Sequence, residues 1–131
     1  MKKIILLSVL VMLFAATSVF AAELTPETFV QADMEARQAT IKGMSDRLAL
    51  LSSRTATVQE ETQLNAVTEQ QVSAVFIKFG TTQSDHLVYA EKNAAAIADF
   101  LEANPDYQAT NDSLSAQFSD ISNRINTVLA R

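Results

Sequence analysis

The chain has 131 residues, no cysteine, two glycines, two prolines and a formal net charge of −5. Without cysteine there is no disulfide, thiol redox chemistry, cysteine-held zinc, covalent c-type haem or lipid-modified cysteine, so the fold must rest on its apolar core. The acidic balance, with no Lys/Arg cluster to offset it, excludes nucleic acid as an expected partner, because phosphate backbones repel such a chain.

The first element in chain order is an export signal. Lys2 and Lys3 precede an apolar run from Ile4 to Phe14, and small residues follow at Ala15 to Ser18. That order of charged, apolar and small residues is the pattern of a cleavable secretory signal peptide. Val19 and Ala21 supply the short side chains a signal peptidase needs, which places the cut after Ala21. The expected organisation is therefore a signal at 1–21 and one helical domain at 22–131. Cleavage removes two lysines and no acid, leaving eight Lys and Arg against fifteen Asp and Glu, a net charge of −7. No second apolar stretch of membrane length follows, so the exported part is expected to be free of the membrane, in the periplasm or secreted.

Few glycines and prolines, with abundant Ala, Gln, Glu, Leu and Ser, make helix the default. Thr25 and Pro26 form a start signal, and Val30, Met34, Ile41, Met44, Leu48 and Leu51 then recur at steps of three and four. This predicts a helix from Pro26 to Ser53, with Arg37 on the one skipped position of the stripe. The pattern lapses at 52–57, where Thr57 and Glu60 form a capping box for a second helix from Val58 to Phe79, closed by Gly80. Thr82 and Asp85 open a third helix, with Leu87, Ala90, Ala94, Ile97 and Leu101 on its stripe, ending near Asn104 and Pro105. A fourth carries Tyr107, Leu114, Phe118, Ile121, Ile125 and Val128, with a weak stretch around 110–112.

The expected fold is all-α, an antiparallel up-down four-helix bundle. The alternative is a long coiled-coil helical hairpin, since the 52–57 junction holds neither Gly nor Pro and the first two helices could be continuous.

No catalytic motif emerges. There is no Gly-x-Ser-x-Gly turn and no Glu-x-x-His pair, and Glu60 and Glu61 suit a helix N-terminus. His86 is the single histidine, and Tyr89 and Ala90 stand where a second helical metal ligand would be needed, so it reads as a solvated or capping side chain. Exported helical bundles include b-type cytochromes, which hold haem between Met and His; the likeness is one of architecture. It would make His86 with Met34 or Met44 the weak candidate ligands. Arg37, one turn after Asp33, reads as an intrahelical ion pair at the rim or as a contact to a partner or anionic ligand. No cofactor is expected. The function expected from these readings is association, with a second copy, an envelope protein or a small ligand, and an enzyme is not expected.

Overall fold

The computed structural model describes residues 23–131. The predicted signal peptide lies outside them. The described residues form five helices and no strand: α1 (Pro26–Ser52), α2 (Val58–Lys78), α3 (Gln83–Lys92), α4 (Ala94–Ala103) and α5 (Pro105–Leu129). The fold class is all-α. None of these helices is long and apolar enough to cross a membrane.

Local chemistry accounts for the helix ends. Thr25 and Thr28 cap α1 reciprocally, each hydroxyl accepting from the other's backbone N–H at 3.2 and 2.8 Å. Between α1 and α2 the Ser53 hydroxyl donates to the Leu50 carbonyl at 2.6 Å, and Arg54 adopts a left-handed φ of 59°. Thr57 and Glu60 then restart the chain, the Thr57 N–H donating to Glu60 Oε2 at 2.8 Å. The two helices are thus separate, and the continuous coiled-coil hairpin does not form. Gly80, at φ 71°, ends α2 as predicted, and the Thr81 N–H donates back to the Phe76 carbonyl at 3.0 Å.

Two features correct the four-helix expectation. The predicted third helix is two, because Asn93 leaves the helical region at φ −124° and ψ 23° while its side-chain amide donates to the Tyr89 carbonyl at 3.0 Å. A short polar side chain that competes for the backbone in this way breaks a helix that alanine-rich composition would continue. The order up-down-up-down also gives way. Of the two long helices that flank α1, α2 runs antiparallel to it, with Glu61 beside Arg47 and Lys78 beside Glu35. Helix α5 runs in the same direction as α1: Tyr107 Oη accepts from Gln31 at 2.8 Å, Ser115 meets Arg37, and Ile121 and Ile125 pack at Leu48. The α3–α4 pair is the crossover at the N-terminal end of α1 that makes this possible. Helix α5 is continuous from Pro105, and the stretch at 110–112 is helical.

Helix α1 is the centre of the molecule and is covered on two sides. Its predicted stripe, Val30, Met34, Ile41 and Leu48, faces α5. A second stripe of small residues, Ala32, Ala36 and Gly43, faces α2 and lets it come close to the backbone. A Cβ on Gly43 would run into the Thr68 side chain, within 2.9 Å of its Cβ. Phe76 fills the space beside Ala32 and Ala36. Burying such a side chain contributes about 1.5–3 kcal/mol.

Candidate functional site

The most unusual chemistry lies where α3 crosses α1. His86 follows the α3 cap, where the Thr82 hydroxyl accepts from the Asp85 N–H at 3.1 Å. One turn of helix from that anchor turns the imidazole inward, and its side chain is only 5% exposed. It lies flat on Phe29 of α1, ring centroids 4.0 Å apart and planes 11° from parallel, and tilts against Phe76 of α2 at 4.9 Å. Its Nε2 lies 3.3 Å from Asp33 Oδ1. Because a carboxylate only accepts, the fitting tautomer carries its hydrogen on Nε2. Nδ1 is then a buried lone pair with no partner, a lesser cost than a buried N–H.

From Asp33 the polar chain continues to Arg37, whose Nη2 lies 2.5 Å from Asp33 Oδ2 and whose Nη1 donates to Ser115 Oγ on α5 at 3.3 Å. His86, Asp33, Arg37 and Ser115 therefore tie α3, α1 and α5 together. Burial pushes the Asp33 carboxyl up. The hydrogen bond from His86 outweighs this together with the charge and hydrogen bond of Arg37, and the carboxyl titrates below its ordinary value of 3.8.

This arrangement holds helices together and leaves no reacting position. Nε2 is occupied by Asp33 and Nδ1 is shut off from solvent, so a substrate or an axial metal could reach the imidazole only by displacing a neighbouring side chain. The solvated or capping role expected of His86 is thus corrected to a buried packing role. Its burial depends on Phe29 and Phe76, which come from other helices. Met34 lies in the apolar cluster with Val30 and Leu114. Met44 packs at Leu48, Ile121 and Ile125, about 16 Å further along α1 than Asp33. The structure therefore does not bring Met44 to His86. Among the described residues no three His, Asp or Glu side chains converge as a metal site would need. Arg37 makes the predicted pair with Asp33. What the spacing could not show is that the pair also braces His86 and Ser115.

The second feature lies on the same side of α1. Phe29, Asp33, Arg37, Thr40, Met44, Arg47 and Leu51 follow one another at steps of three and four, a third stripe between the α2 and α5 faces. Its lower end, Phe29 and Asp33, is covered by α3. No described helix covers its upper end. There the stripe floors a shallow trough, walled by Asn65 and Glu69 of α2 and by Ser115, Phe118 and Ser119 of α5. Phe118 is 43% exposed on this wall. Arg47 closes the floor against α2, its Nε donating to Glu61 Oε1 at 2.6 Å.

The class that fold and site define is a helical layer protein whose long first helix is flanked by one antiparallel and one parallel helix. Comparison with protein-family models, curated proteins and solved structures finds no match for the chain.

Proposed function

We propose that the protein is exported, loses residues 1–21, and acts as a single domain by association in the periplasm or outside the cell. The open upper half of the third α1 stripe is its contact surface. The observation that carries this reading is the trough itself. A helix stripe whose lower half is packed under α3 continues upward with no described helix over it; its Met44 and Leu51 lean against Leu48, Ile121 and Ile125, and Phe118 of α5 stands 43% exposed on the wall. The charged, apolar and small order of the first residues supports export. The closed imidazole of His86 supports a binding rather than a catalytic role.

The test uses the absence of cysteine, which makes any introduced thiol unique. Asn65→Cys puts a thiol on the trough wall, and Val58→Cys puts one at an 83% exposed position on the same helix. In cells that express the full chain, a thiol reagent should modify Asn65→Cys at least about tenfold more slowly than Val58→Cys, because a bound partner leaves only the free fraction reactive. Equal rates in cells would overturn the reading.

A further inference from the structure

We propose that the partner over the trough is a second copy of this chain. The α3–α4 crossover of each copy would lie in the trough of the other, about a two-fold axis perpendicular to α1. The proposal rests on the association reading and names its partner.

Shape is the first argument. Along one side of α1 the molecule is a ridge at one end, where α3 sits on the stripe with α4 beside it against the Val30, Met34 and Leu114 cluster, and a trough at the other, where nothing described covers the stripe. A half-turn about an axis through the middle of that side sets ridge over trough at both ends, so one patch is complementary to itself, as an isologous interface requires. The open floor from Arg37 to Leu51 is about 21 Å long, enough to seat the ten-residue α3 of another copy, about 15 Å in length.

Charge is the second argument. The ridge carries four carboxylates, Asp85, Glu91, Asp99 and Glu102, and none has a cationic partner within 4.0 Å among the described residues. Arg37, Lys42, Arg47, Lys78 and Arg124 are all ion-paired within the chain. Among the described residues, apart from Lys92 on the ridge, the cations without such a pair are Arg54 and Arg131, and both line the upper end of the open side beside Leu51 and Val128. The two-fold arrangement brings the unpaired acids of one copy to the unpaired arginines of the other. Apolar surface matches as well, since Leu87, 59% exposed on the ridge, would meet the trough wall.

Cysteine cross-linking tests this. The full chain is expressed as Leu87→Cys, on the ridge, and separately as Asn65→Cys, on the trough wall; the purified products are mixed and oxidised. The mixture should give a disulfide-linked heterodimer at least about tenfold in excess of either homodimer, and more salt should lower the yield as it screens the charges. Circular dichroism of each variant verifies that it is folded. Homodimers as abundant as the heterodimer, or a monomer by sedimentation of the parent protein, would overturn the self-association. A monomer whose Asn65→Cys is nonetheless protected in cells would overturn only this inference and leave association with another partner standing. Reactivity at both places would remove both.

Discussion

Gly43→Ala probes the closest approach in the molecule. The added methyl would lie within 2.9 Å of Thr68 Cβ and nearer still to the Thr68 hydroxyl and methyl. Thr68 has little freedom to turn away, because it is β-branched, sits inside α2 and donates its hydroxyl to the Leu64 carbonyl at 3.0 Å. The clash is therefore relieved by moving α2 off α1, along a seam that Phe76 fills beside Ala32 and Ala36. Overpacking of this kind costs about 1–3 kcal/mol, whereas alanine in place of glycine in a helix returns about 1 kcal/mol. The net expectation is a loss of about 1 kcal/mol, read from urea unfolding followed by far-ultraviolet circular dichroism. In a Thr68→Ala background the nearest two atoms are gone and only the contact to Cβ at 2.9 Å remains, so the same substitution should cost less than in the parent. A Gly43→Ala protein more stable than the parent, with Thr68 in place, would refute the packing described for α1 and α2.

Three further predictions follow from the polar chain beneath the crossover. His86→Ala removes the ring between Phe29 and Phe76 and should cost about 2–4 kcal/mol in urea unfolding, while His86→Phe keeps the ring stack and should cost less than half as much. Equal losses would mean that stacking is not what holds α3. Because the folded-state Asp33 carboxyl titrates below 3.8, its contribution is fully present above that value and is lost as pH falls through the folded-state value. Asp33→Asn should therefore flatten the acid limb of a stability-versus-pH curve, and an unchanged limb would refute the pairing. Arg37→Leu removes a partly exposed pair, so the loss near neutral pH should be about 1 kcal/mol or less. With that charge gone the Asp33 carboxyl should rise, moving the acid unfolding midpoint to higher pH. A midpoint that stays put, with partner capture abolished, would make Arg37 a direct contact instead.

Much of the local structure is legible in residue spacing. Thr25 with Pro26, Thr57 with Glu60, Gly80 and Asn104 with Pro105 act through neighbours a few positions away, so sequence order alone locates them. The stripe from Val30 to Leu51 was equally visible, and it marks the side of α1 that meets α5. The second buried side was not. Ala32, Ala36 and Gly43 read as ordinary helix residues, and only the approach of α2 turns their small size into a packing surface. Asn93 sits in an apolar rhythm that continues through it, so the break depends on a side-chain hydrogen bond that periodicity does not register. The direction of α5 follows from that break, because two short helices can cross the base of α1 where one straight helix would have returned along it. At the site, the Asp33–Arg37 spacing was legible as a pair. The burial of His86 was hidden, since the two rings that enclose it lie 57 residues before and 10 residues before it in the chain.

The central claim is that an exported chain works by covering its open side with a partner. Native mass spectrometry of the protein gently extracted from its own cells tests this most directly, since one spectrum reports both processing and stoichiometry. The account predicts a chain beginning at Ala22 in a complex, whose mass is twice that of the chain if the partner is a second copy. A lone chain, or one that still carries Met1 to Ala21, would contradict it.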